Sequence, residues 1–414
     1  MDLRRHAPTV VGAAALLHAL NGRRPFATRG PFALPSFGFG LAASELPLQH
    51  AAAYAVGTGV ASARARDRGA MAVGAALATA AVATAAASRR RMESASEIVD
   101  AALVDALGTA ADASPRMAPR TAELPLLPTP RVHRRHVHDE RVIYGEYGRR
   151  TSLDIWRRAD VRPDAPVLIQ IHGGGWVSGD QEVQAYPLMS HLVERGWVCV
   201  AATYRLAPWS RWPAQIHDVK RVIAWTRDNV AEYGGDPSWL AITGGSAGGH
   251  LVSLAALTAD DPALQPGFED ADTRVGAAVP FYGVYDWTNR TGAWGRDFRF
   301  FLERFILHPD TADVEETLRN ASPLSHVRPD APPMLLIHGD NDSLAPVADA
   351  RAMVAAMQAT SNAAVGYIEL PGTQHAFDLF GSERTAAVVR GVGRFLEHVH
   401  ARRETVCPQG AGPQ

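Results

Sequence analysis

At 414 residues the chain is too long for one small domain, and a hydrophobic share of 47% supports a large core. The formal net charge of −2 gives no electrostatic case for a nucleic-acid partner. Its two cysteines, Cys199 in an apolar strand and Cys407 in a Pro/Gly tail, argue against a disulfide framework.

Residues 1–91 are rich in Ala, Gly and Val and poor in acid. Three apolar stretches stand out: Pro8 to Leu20, Pro31 to Ala63 and Gly69 to Ala87. The third is 19 residues without a charge, close to the length of a bilayer span. The second carries Glu45, Pro47 and His50, which suit a broken pair or a hairpin. The first is short and follows Arg4 and Arg5 like a signal-peptide core, but no clean Ala-x-Ala site follows it. Arginines fill every gap, at 23, 24 and 29, at 64, 66 and 68, and at 89 to 91, so the flanking charge assigns no topology. The region reads as a helical membrane anchor; the bland alternative is a soluble Ala-rich helical domain.

Residues 92–140 read as a connector, with a short helix at Ala101 to Leu107 and a Pro-rich stretch from Ser114 to Arg131. The run Arg131-Val-His-Arg-Arg-His-Val-His138 is better a solvated basic segment than a metal site, because its arginines repel a cation and no second ligand pair accompanies it.

From Val142 strands and helices alternate. Val142 to Gly148 and Ser152 to Arg157 suggest a hairpin. Strands are expected at Pro166 to Ile171, Trp197 to Thr203, Trp239 to Thr243, Val275 to Tyr282, Pro333 to His338 and Val365 to Leu370. Helices are expected at Pro187 to Glu194, Trp212 to Val230, Ala247 to Leu257, Val347 to Met357 and Glu383 to His398. Such repeated units imply an α/β fold, a mostly parallel sheet with helices on both faces. The domain is expected over 141–402, with an aromatic-rich insertion at about 287–326 as a cap and a flexible tail at 403–414.

Gly244-Gly-Ser-Ala-Gly-Gly249 joins an apolar strand to a helix and has the form of a nucleophile elbow, which exposes Ser246 at the sheet edge. A serine hydroxyl needs a base, and the base an orienting acid. His375, beyond the last strand, is the candidate base, and Asp342 the acid, with Asp340 its rival on the same loop. His338 reads as structural. A single loop Asp or His usually means nothing; the three groups on successive strand ends, in the order Ser, Asp, His, carry the signal. His172-Gly-Gly-Gly-Trp176 follows a strand and suits an oxyanion hole built from the amides of Gly173, Gly174 and Ala247. A phosphate loop would need a Lys-Ser/Thr or a Gly-x-Gly-x-x-Gly that is missing.

With Tyr204-Arg-Leu-Ala-Pro208 and His375-Ala-Phe377, these motifs resemble the hormone-sensitive-lipase-like branch of the α/β-hydrolases, over about Arg141 to His400. The whole chain is similar to membrane-associated actinobacterial lipases and esterases, through Ser152-Leu-Asp-Ile-Trp156, Ile242 to His250 and Val279 to Asp286. The resemblance implies a carboxylic-ester hydrolase with no metal or organic cofactor, acting on a small-molecule or lipid ester at a bacterial cell membrane. Two positions depart from the branch: Gly245 stands where an acid usually precedes the serine, and Trp209 where an acid usually follows Tyr-Arg-Leu-Ala-Pro. The same machinery could cleave an amide or pass the acyl group to an alcohol, because the acyl-enzyme is shared. A non-catalytic scaffold conflicts with the complete motif set. A transporter conflicts with the lack of paired ionisable residues in the apolar stretches.

Overall fold

The computed structural model describes residues 3–108, 136–182 and 184–406. The Pro-rich stretch from Ser114 to Arg131, most of the histidine-rich run and the tail from Cys407 lie outside them.

Eight strands form one sheet: β1 (Val137–Ile143), β2 (Ser152–Trp156), β3 (Ala165–Ile171), β4 (Val198–Ala202), β5 (Gly235–Gly245), β6 (Ala277–Phe281), β7 (Met334–Gly339) and β8 (Val365–Leu370). Their order is β1-β2-β4-β3-β5-β6-β7-β8. The first hairpin is antiparallel, β2 pairs antiparallel with β4, and every later pairing is parallel. Side chains alternate between the faces, as the two-residue period of a strand requires. Val167, Ile169 and Ile171 of β3 join one core, and Leu168 joins the other.

Five helices match the expected crossovers: α6 (Tyr186–Glu194), α7 (Ala214–Asn229), α8 (Ala247–Leu257), α11 (Val347–Thr360) and α12 (Glu383–Val406). Two short ones, α9 (Arg296–Phe301) and α10 (Val314–Asn320), lie in the insertion. One face of the sheet is covered by α7, α8 and α11, the other by α6 and α12. α12 runs four residues past the expected domain end at 402, still helical to Val406. The short helix expected at Ala101 to Leu107 starts six residues earlier, as α5 (Ala95–Leu107). It buries Val99 and Leu103 against the core that holds Val388, Val392 and Phe395 of α12. Its Val99–Leu103–Leu107 spacing is the stripe of a helix packed on a core.

The N-terminal helices are α1 (Leu3–Arg23), α2 (Ala33–Glu45), α3 (Pro47–Ala63) and α4 (Arg68–Glu93). The long second apolar stretch is broken at Leu46, and Pro47 opens α3 with a φ that suits a first helical turn. α1 and α4 run side by side in one direction: Thr9 Oγ1 donates to Ala70 O (3.1 Å). Their backbones nearly touch, since a Cβ on Gly74 would stand 2.5 Å from the Pro8 carbonyl oxygen. One end of this bundle stands on the α/β domain. Asn341 Nδ2 donates to Arg23 O (2.6 Å), Arg89 pairs with Glu383, and the buried Glu45 pairs with the buried Arg384. Glu45 Oε2 also accepts from Ser382 Oγ (2.8 Å).

Candidate active site

β5, near the middle of the sheet, runs into α8 through a turn in which Ser246 has φ 59° and ψ −121°. A non-glycine residue held in the left-handed region stores strain. The surroundings enforce it: Ser246 N–H donates to Phe281 O (3.0 Å), and a Cβ at Gly244 would stand 2.6 Å from Ile171 O. Ser246 remains partly open to solvent, while every residue of α8 behind it is buried. The positive end of that helix faces the same turn.

The loops after β7 and β8 bring Asp342 and His375 together. His375 Nδ1–H donates to Asp342 Oδ2 at 2.6 Å, and both side chains are buried. Asp342 Oδ1 accepts the N–H groups of Leu344 (2.8 Å) and Ala345 (2.7 Å). His338 Nε2 lies 2.9 Å from Ala345 O and 3.3 Å from Asp342 Oδ2, so it too presents a hydrogen to the carboxylate. Burial alone would raise the Asp342 carboxyl; the charge of His375 and the bonds from His338 and His375 outweigh it and hold the group well below the usual carboxylate range. Asp340 is exposed and instead accepts Gly372 N–H (2.6 Å).

Ser246 and His375 share a neighbour rather than a hydrogen bond in this structure. The Tyr282 ring lies 4.6 Å from the His375 ring, and a Cβ at Gly245 would meet the Tyr282 hydroxyl at 2.7 Å. Tyr282 O–H donates to Asp378, whose carboxyl burial pushes up to about 6. The departure at position 245 has its reason here: the tyrosine occupies the space that an acidic side chain would need.

The glycine loop leaves β3 beside the serine, and a Cβ at Gly173 would fall 3.0 Å from Ser246 Cβ. His172 holds the loop from below. It donates Nδ1–H to Gly173 O (2.7 Å) and stacks on Tyr204 with centroids 4.3 Å apart. Burial pushes its pKa down to about 4, so the ring is neutral at ordinary pH. Tyr204 O–H donates to His172 O (3.2 Å), and Ala207 N–H donates to Trp176 O (2.9 Å). Arg205 is clasped by Asp218 at 2.7 Å. Tyr204-Arg-Leu-Ala-Pro208 is thus the brace of the glycine loop, while Trp209 beyond it is 82% exposed. Of the expected amide donors, Gly174 N–H has no acceptor among the described residues, and Ala247, first in α8, has none within its helix. Gly173 N–H is engaged, donating to Gln184 Oε1 at 2.7 Å.

Aromatic groups close the site from two sides. In the insertion, Trp287 is buried against Trp176, Trp212 and His250. Phe301 reaches within 3.8 Å of where a Gly175 Cβ would be. Trp294 stacks on Phe298 and donates Nε1–H to Asp349 Oδ2 (2.7 Å), pinning the insertion to α11. Burial raises the Asp349 carboxyl to about 6. From the other side α2 sets Phe37 edge-on to His375, centroids 6.1 Å apart. Asp218, Gln184, Asp378 and Phe37 carry no sequence motif, and Tyr282 lies in a motif block that does not mark its contact; only contact in space reveals them. Among the described residues no group of three or more His, Cys, Asp and Glu side chains is placed to hold a metal ion.

Comparison with known proteins gives one family model, BD-FAE, matching residues 153–357. The probable carboxylic ester hydrolase LipM of Mycobacterium tuberculosis is 45% identical, over 96% of this chain and 94% of LipM. Esterase LipQ of the same organism is 46% identical, over 75% of this chain and 76% of LipQ. Among solved structures, the thermophilic esterase Est2 of Thermogutta terrifontis superposes with a TM-score of 0.53 at 26% identity, covering 66% of this chain and 95% of Est2. The same esterase has been solved phosphonylated by sarin, at a TM-score of 0.51 and 25% identity, over 67% of this chain and 97% of that one.

Proposed function

Because the chain belongs to the family of LipM and LipQ, in the hormone-sensitive-lipase-like branch of the α/β-hydrolases, and is a carboxylic-ester hydrolase, we propose that Ser246, His375 and Asp342 are its catalytic triad. The observation that carries the reading is the buried His375–Asp342 bond beside a strained serine. Asp342, ionised and saturated with donors, fixes hydrogen on Nδ1 of His375 and leaves Nε2 as the base. Ser246 Oγ attacks the ester carbonyl carbon as its proton passes to His375 Nε2. The carbonyl oxygen becomes an oxyanion, received by the Gly174 and Ala247 amides, and by Gly173 once Gln184 yields its hydrogen bond. Collapse breaks the bond to the alcohol, which leaves with the proton from His375. Water, deprotonated by His375, then cleaves the acyl-serine and releases the acid.

The substrates of this reading are short- to medium-chain acyl esters at a membrane. Among the described residues, one helical stretch, Arg68–Leu107, holds a window long and apolar enough to cross a bilayer; 28% of that window is buried, less than a core helix would show. Arginines 64, 66 and 68 end the bundle far from the α/β domain, and arginines 89 to 91 end it near. At about 1.5 Å per residue these belts lie about 32 Å apart, close to the roughly 30 Å hydrocarbon core. The close Gly74–Pro8 approach is the small-residue packing that helices use in lipid.

The test is hydrolysis of p-nitrophenyl butyrate by the full chain, with fluorophosphonate labelling. The parent should turn over and label, and Ser246→Ala should lose at least about 10³-fold in kcat and all labelling. An alanine variant that keeps the parent's rate ends the proposal.

A further inference from the structure

α2 has two unlike faces. One packs on the α/β domain: Phe37 points at His375, and Glu45 is locked to Arg384 and Ser382. Its start is fixed to α1 by Ser36, whose Oγ donates to Asn21 Oδ1 (2.7 Å) and whose carbonyl accepts from Asn21 Nδ2 (2.7 Å). The other face is apolar and uncovered, with Phe32 72%, Leu34 65% and Phe39 47% exposed. Phe39 stands at the foot of a groove of about 300 Å³ between α1 and α3, lined by Val11, Ala14, Ala15, His18 and Tyr54. Arg24 and Arg29 are exposed just before the helix, and Val56, Val60 and Val73 are exposed further up the bundle.

An apolar row flanked by basic residues, continuous with an apolar bundle, matches the chemistry of an anionic lipid surface. We infer that α2 lies at the membrane–water boundary with Phe32, Leu34 and Phe39 in lipid, while Phe37 on its opposite face walls the reacting site. The enzyme then takes esters of water-insoluble alcohols directly from the bilayer. A soluble partner protein suits this surface less well, because exposed apolar side chains recur along the flank of the bundle at Val56, Val60 and Val73. This rests on both readings above, of Ser246–His375 as the reacting pair and of the bundle as membrane-embedded.

The test uses the full chain reconstituted in phosphatidylcholine–phosphatidylglycerol vesicles and two butyrate esters. Hexadecyl butyrate resides in the bilayer and p-nitrophenyl butyrate in water; both give the same butyryl-serine, so a difference between them reports access and not deacylation. The Phe32→Ser/Leu34→Ser variant should lose at least tenfold on hexadecyl butyrate and stay within twofold on p-nitrophenyl butyrate. Equal losses on both esters, or no loss on either, overturn the inference. A second measurement is independent of turnover. A nitrobenzoxadiazole label on Leu34→Cys, in a Cys407→Ser background with buried Cys199 retained, should be quenched by doxyl-labelled lipid. An unquenched label on a chain that still floats with vesicles defeats this inference alone. A chain that does not float defeats the membrane reading, and a parent inactive on p-nitrophenyl butyrate defeats the triad.

Discussion

Replacing Asp342 by asparagine separates geometry from charge. The side chain keeps its shape, but one oxygen becomes an NH2 group. Asp342 Oδ1 accepts two backbone hydrogens, from Leu344 and Ala345. Turning the amide nitrogen toward them would orphan two buried donors, at about 1–3 kcal/mol each. The oxygen therefore stays on that side, and the nitrogen faces His375 Nδ1 and His338 Nε2, both donors in the parent. His375 relieves the clash by moving its hydrogen to Nε2, which leaves the base with no lone pair toward Ser246. The expected loss in kcat is about 10³–10⁴-fold, or roughly 4–5.5 kcal/mol of transition-state stabilisation. KM should change little, since no substrate contact is removed. Initial rates on p-nitrophenyl butyrate from pH 6 to 9 measure it, with Asp340→Asn as the control. Asp340 is exposed and accepts the backbone N–H of Gly372, so its variant should stay within about threefold of the parent, the scale of a surface change. An Asp342→Asn enzyme within tenfold of the parent would refute the tautomer argument.

Gly245→Asp, which restores the acid usual in the branch, should lower kcat at least about tenfold, because its Cβ would press on Tyr282 and through it on His375. Steady-state kinetics on the same ester decide it, and an unimpaired variant contradicts the steric account. Asp349 predicts a pH effect on stability. Its folded pKa of about 6 lies above the ordinary 3.8, so the unfolded chain loses this proton first as pH rises. Stability from this group is full below pH 3.8, falls between 3.8 and 6, and is flat above, a total near 3 kcal/mol. Asp349→Asn should remove that fall, seen as urea-unfolding free energies of the two proteins that diverge between pH 4 and 6; parallel curves would contradict it.

The strands were legible because parallel strands buried on both faces read as short apolar runs between glycine and proline signals. Ser246, Asp342 and His375 are legible as candidates because each follows the end of a strand. Choosing Asp342 over Asp340 had no sequence basis, and it took the fold to turn one inward and the other to solvent. Gln184, on the amide of Gly173, and Tyr282, against Gly245, were out of reach for a related reason: neither is near its partner in the chain. The C-terminal half of α5 is legible as a short helix, but its packing is not, since its core partner, α12, comes about 290 residues later.

The Glu45–Arg384 pair joins residues 339 positions apart, both buried. During synthesis the glutamate emerges first and waits, without its counter-charge, until Arg384, 339 residues later, has been made. A protein cut to its α/β domain would lose that carboxylate and open the Arg384 guanidinium to water. The loop carrying His375 leads straight into that arginine's helix. The N-terminal bundle is therefore a structural part of the α/β domain on which it docks, and that joint is complete only when Glu45 and Arg384 have met.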